Sequence, residues 1–122
     1  MTSKSILVID EDRNLQRSLA LLLQHAGYRV ATADRACKAL DCLHNDHYDL
    51  VIIDSTMPDK GLALLPKVVR LYPFLAILIL AAETSETDPK VDQPGQYYLM
   101  AKPVTPENFL GRVEEILNNY RK

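Results

Sequence analysis

Short, dense apolar runs alternate with longer segments in which apolar residues recur every three or four positions. Five runs read as strands: SILVID (5–10), YRVATA (28–33), DLVIID (49–54), AILILAA (76–82) and YYLMA (97–101). Between the first two, Leu15, Leu19, Leu22 and Leu23 fall on one helical face, and Gly27 is placed to end that helix. Ala36, Ala39, Leu40 and Leu43 form a second stripe, with Asp34 as its expected N-cap. In the closing segment Thr105 reads as cap and Pro106 as the first helical residue. Phe109, Val113, Ile116 and Leu117 read as its buried face. Strands alternating with helices at this spacing predict right-handed βαβ units and a parallel sheet covered on both sides. Ligands of such a sheet sit beyond the carboxyl ends of its strands, where the strand order reverses.

Composition narrows the function classes. With 122 residues and 48% hydrophobic content, the chain has the size and make-up of one globular domain. A net charge of -2 gives no basic footprint, which argues against direct nucleic-acid binding. No apolar run approaches the roughly 20 residues of a membrane-spanning helix, and the polar start MTSKS does not read as a signal peptide. Cys37 and Cys42 point to different faces of one helix, which argues against a mutual disulfide. A reduced, cytoplasmic protein is the expectation.

The candidate chemistry lies at the strand ends. The first run ends in Asp10, Glu11 and Asp12, the third in Asp54, and the fifth is followed by Lys102-Pro103. If these ends meet, one pocket gathers Asp10, Glu11, Asp54 and Lys102. Three carboxylates a few ångströms apart repel by several kcal/mol at an effective dielectric of about 20. One lysine does not offset that, and a divalent cation does. Oxygen ligands with an incomplete protein shell favour Mg²⁺, which keeps waters and is completed by phosphate oxygens. A carboxylate beside such an ion is a competent nucleophile toward phosphorus.

The layout resembles the receiver domain of two-component response regulators, relatives of the bacterial chemotaxis regulator, over essentially the whole chain, 1–122. The resemblance rests on three matches: Asp10-Glu11 after strand one, Asp54 with Met57-Pro58 after strand three, and Lys102-Pro103 after strand five. It implies a flavodoxin-like five-stranded parallel sheet in the order 2-1-3-4-5, flanked by helices on both faces. It implies phosphorylation at Asp54 by a sensor histidine kinase or phosphotransfer protein, with Lys102 on the phosphoryl group. It further implies Mg²⁺ held by Asp10, Glu11, Asp54 and the Thr56 carbonyl, and a cis peptide before Pro103. An output domain or partner would carry the signal onward, and a homodimer is left open. Such a chain is a phosphoacceptor more than an enzyme.

Several positions depart from that pattern. Ala81 stands where receivers usually carry Thr or Ser, whose hydroxyl bonds a phosphoryl oxygen; such a bond is worth about 1.5–3 kcal/mol. Leu99 stands where an aromatic switch residue is usual; Tyr98 is one position off and so faces the other side of its strand. The loop MPDKG is one residue short, and Pro66 delays the third helix to a start near Leu65. Residues 83–96, with two prolines and Val91 as the only large apolar side chain, predict a short or irregular fourth helix. Glu11 also stands where Asp is commoner as a metal ligand.

These departures motivate an alternative: an atypical receiver acting as a protein-interaction module without phosphoryl control. A third reading, a Mg²⁺-dependent phosphatase of the haloacid-dehalogenase type, takes Asp10 and Asp12 as its Asp-x-Asp. Asn14 then stands where Thr or Val is wanted, and the chain has no room for a cap domain. Taken singly, the residues have plainer uses. The acidic triplet suits a helix start, Asp54 a cap, and Lys102 a solvated surface. His44 and His47 suit a solvated helix end, and Tyr97-Tyr98 suit strand packing.

Overall fold

A computed structural model of the chain describes residues 4–54, 65–81, 97–101 and 104–119. The elements run β1 (Ser5–Ile9), α1 (Arg13–His25), β2 (Arg29–Ala33), α2 (Ala36–Asn45), β3 (Leu50–Asp54), α3 (Leu65–Leu71), β4 (Ala76–Ala81), β5 (Tyr97–Ala101) and α4 (Pro106–Asn119). All strand pairings are parallel, and the sheet order is β2-β1-β3-β4-β5. This is the expected order, with the reversal between β1 and β3. The segment expected to hold an irregular fourth helix (83–96), together with Thr56, Met57-Pro58, Lys102 and Pro103, lies outside the described residues.

Strand alternation divides the core in two. Odd-numbered residues of β1, β3 and β4 (Leu7, Ile9, Val51, Ile53, Ile77 and Ile79) pack with Ala39 and Leu43 of α2 and Val68 of α3. Even-numbered Ile6, Val8, Leu50, Ile52, Leu78 and Leu80 pack with Leu19 and Leu23 of α1 and with the Phe109, Val113 and Ile116 face of α4. Every residue of β3 is buried, as its unbroken apolar run requires in a sheet covered on both faces. Each buried Leu, Ile or Phe contributes about 1.5–3 kcal/mol relative to exposure.

The helix ends follow from local chemistry. Asp12 caps α1, its Oδ1 accepting from the Asn14 and Leu15 N–H groups at 3.0 and 3.2 Å. At the other end the Gly27 N–H donates to the Gln24 carbonyl (3.0 Å) and the Tyr28 N–H to the Leu23 carbonyl (3.1 Å). This is the Schellman pattern, and it needs the positive φ of 99° that Gly27 adopts. Tyr28, expected in the second strand, closes this turn instead, so β2 begins at Arg29. For α4, the Thr105 hydroxyl accepts from the Asn108 N–H at 3.2 Å, as expected of its cap.

One expected cap is corrected. Arg35, not Asp34, occupies the N-cap of α2, and it makes no side-chain cap bond. The Asp34 carboxylate instead meets Arg13 and Arg35, each at 3.5 Å, which draws it away from the helix N–H groups. Cys37 and Cys42 are both free thiols. His44 faces the Tyr72 hydroxyl (3.3 Å) and His47 faces Asp49 (3.5 Å), so the two histidines serve separate neighbours. No helix among the described residues is long and apolar enough to cross a membrane.

Candidate functional site at the carboxyl edge of the sheet

β1 and β3 run in register from Ile6 opposite Leu50 to Ile9 opposite Ile53. The next position on each strand is a carboxylate, Asp10 beside Asp54. Neighbouring strands lie roughly 4.8 Å apart, so these side chains leave adjacent points of the sheet edge. Both continue the even-numbered alternation, over the half of the core covered by α1 and α4. Both are buried, Asp10 to 1% exposure and Asp54 to 6%, and no other polar or charged residue among the described ones is buried. Two unit charges roughly 5 Å apart repel by about 3 kcal/mol at an effective dielectric near 20.

The acidic triplet divides its labour. Asp10 is held by its backbone, the N–H donating to the Ala33 carbonyl at 3.0 Å. Its Oδ1 accepts from the Asp12 N–H at 2.9 Å. Glu11 is exposed at the rim. Asp12 is the exposed helix cap, so the plain helix-start reading holds for this one residue of the three. Its bonds to Asn14 and Leu15 give the second acid of the Asp-x-Asp a capping use.

A divalent, oxygen-liganded cation fits this donor set. Two buried carboxylates on adjoining strand ends are hard oxygen donors of the kind Mg²⁺ takes, an ion that keeps several of its waters. Among the described residues no group of three His, Cys, Asp or Glu side chains is arranged to hold a metal. The Thr56 carbonyl and Lys102, the other members of the expected site, lie outside the described residues.

Of the expected switch positions, Ala81 lies on the strand next to Asp54 and Leu99 lies one strand further out. Asp54 is in register with Leu80, and half-buried Ala81 follows it at the end of β4. Leu99, in register with Ile79, is 42% exposed on the edge strand β5. Tyr98 faces the other side, packed into the α4 half of the core, with the Arg112 guanidinium 5.5 Å over its ring. One residue escapes the sequence reading altogether. The Gln16 Nε2 amide donates to the Asp10 carbonyl and to the Ala33 carbonyl, both at 3.0 Å. Its only sequence signal is a long amide four residues after the helix cap.

Comparison with known proteins bears on this geometry. The family model described as "Response regulator receiver domain" matches residues 6–114. The DNA-binding transcriptional regulator NtrC of Azospirillum brasilense is 31% identical over 98% of this chain, which covers 25% of that protein. The transcriptional regulatory protein CreB of Escherichia coli is 27% identical over 100% of this chain and 54% of its own length. The chain thus spans about a quarter to about half of these curated relatives. Among solved structures, a CheY-like receiver domain protein from Methanospirillum hungatei superposes with a TM-score of 0.88 at 27% identity, covering 98% of this chain and 97% of that one. Vibrio cholerae chemotaxis protein CheY4 superposes with a TM-score of 0.82 at 28% identity, covering 94% and 99%. With the sheet order, the paired carboxylates and the family match in agreement, this chain belongs to the response regulator receiver domain family, whose members are signalling domains rather than classical enzymes.

Proposed function

We propose that residues 1–122 form a single receiver unit that accepts a phosphoryl group on Asp54 from the phosphohistidine of a sensor histidine kinase or phosphotransfer protein. The observation that carries this reading is the buried Asp54 carboxylate beside buried Asp10, at the sheet edge where the strand order reverses. An Asp54 carboxylate oxygen attacks the phosphorus. The new P–O bond forms as the P–N bond to the donor imidazole breaks, and the imidazole leaves with the bond's electron pair and takes up a proton. The Asp10 carboxylate beside Asp54 would repel it, and a shared cation would offset that repulsion.

Asp10, Glu11, Asp54 and the Thr56 carbonyl would hold Mg²⁺, and Lys102 would contact the phosphoryl oxygens. The ion, when bound, offsets the charge on those oxygens. The longer relatives carry transcriptional-regulator names, which supports an output domain or partner acting after this unit. The test is incubation with Mg²⁺ and a small-molecule phosphodonor, followed by intact mass. The wild-type chain is expected to gain one phosphoryl group and Asp54→Asn none. Equal labelling of Asp54→Asn would move the acceptor elsewhere.

A second reading, an interaction module without phosphoryl control, draws on Ala81, which brings a methyl where a hydroxyl would meet the phosphoryl group, and on the exposed aliphatic Leu99. Beryllofluoride with Mg²⁺ separates the two. A spectral change reaching β4 and β5 supports phosphoryl control, and a change confined to Asp10 and Asp54 supports the module.

A further inference from the structure

Gln16 lies in the second turn of α1, yet its side chain reaches back to the sheet. A primary amide nitrogen carries two N–H groups. Here one meets the carbonyl of Asp10 and the other the carbonyl of Ala33, both at 3.0 Å. Ile9 and Ala33 are the last register pair of β1 and β2, and the Asp10 N–H to Ala33 carbonyl bond closes the ladder beyond them. Gln16 therefore bridges the two strand ends where the sheet stops and the chain turns into the helix.

We propose that Gln16 is a positioning residue for the acidic pocket, an amide clamp that fixes the Asp10 backbone and thereby aims its carboxylate beside Asp54. The proposal rests on the reading of Asp10 and Asp54 as a cation and phosphoryl site. Asp10 is then anchored at its N–H by Ala33, at its carbonyl by Gln16, and at Oδ1 by the Asp12 N–H. The two backbone anchors fix where the side chain leaves the sheet, and the Oδ1 bond restrains the carboxylate itself. Mg²⁺ demands near-ideal octahedral geometry, so a ligand held in place binds it better than one that must be ordered on binding. The clamp is also neutral: it orders the carboxylate without placing a positive charge that would compete with the cation. Groups that orient ligands from behind typically contribute about 10–100-fold in metal affinity.

The experiment uses the full 122-residue chain with Gln16→Met, which keeps the length and removes both donors, and Gln16→Ala as a second, helix-favouring variant. Gly27→Ala serves as a control that weakens α1 at its far end. Mg²⁺ affinity is read by NMR titration, and the Asp10 amide by hydrogen exchange without metal. Both Gln16 variants are expected to exchange the Asp10 amide faster and to lose about tenfold in Mg²⁺ affinity, while Gly27→Ala keeps the wild-type affinity. Affinity and exchange within twofold of wild type in the Gln16 variants would overturn the clamp while leaving the site reading intact. An equal loss in Gly27→Ala would also overturn it, by assigning the effect to general loosening. A wild-type chain that neither binds Mg²⁺ nor takes up a phosphoryl group would remove the site reading itself, and the clamp with it.

Discussion

The Asp34 carboxylate shows how a single residue's neighbours set its role. Partial burial pushes its pKa upward, but Arg35, the Arg13 hydrogen bond, its own backbone N–H and Lys38 together outweigh that. The group is held below the usual 3.8. A carboxyl with a lowered folded-state pKa binds protons less readily than in the unfolded chain. Its stabilisation is therefore complete above the unfolded value and is lost as pH falls through the folded one. Asp34→Asn is expected to lower stability modestly at neutral pH and to converge with wild type below about pH 4, which flattens the acid limb of the stability curve, as urea unfolding at stepped pH would read. Unchanged acid sensitivity would place the proton uptake elsewhere.

At the scale of elements, the joint between α1 and β2 is the most constrained by backbone conformation. Gly27 carries φ of 99°, and a Cβ built there meets no atom within 4 Å, so the obstacle to a side chain is the backbone angle and not crowding. Gly27→Ala is expected to destabilise by about 1 kcal/mol or more. A urea midpoint equal to wild type would show that the turn relaxes freely. The opposite end of α1 depends on a division among consecutive acids: Asp12 caps, Asp10 enters the pocket, and Glu11 stays at the rim. Both aspartates are chemically fit to cap a helix start, with a side chain short enough to reach the first free N–H groups. Only the geometry of the turn after β1 selects between them.

Viewed as one molecule, the fold joins two core halves through a shared sheet and presents its paired carboxylates at one edge. A ligand that binds this edge only in the folded state must stabilise the whole domain by linkage. Mg²⁺ with beryllofluoride at about one hundred times its dissociation constant would add about 2.7 kcal/mol. The melting midpoint is expected to rise by several degrees, and Asp54→Asn is expected to abolish the rise. No shift in the wild-type chain would argue that the edge does not take a phosphoryl-like ligand.

Among the described residues, the strands and helices were legible in the chain to within a residue or so at their ends, because that information is local. The unbroken run 50–53, short and rich in β-branched residues, reads as a strand covered on both faces. The Phe109, Val113, Ile116 and Leu117 stripe can only be a helix face on a core. Gly27 and Thr105 mark their helix ends through backbone and capping chemistry that needs no distant partner. Tertiary structure alone decided what the polar side chains do. Asp10 is singled out from its acidic neighbours by the register that sets Ile9 opposite Ile53, residues far apart in the chain. Asp34 is taken from its expected cap by the approach of Arg13 from another helix, and Gln16 finds its acceptors on two strand ends. A charged or hydrogen-bonding group acts through whatever lies within a few ångströms of it, and folding sets those neighbours from parts of the chain that periodicity does not connect.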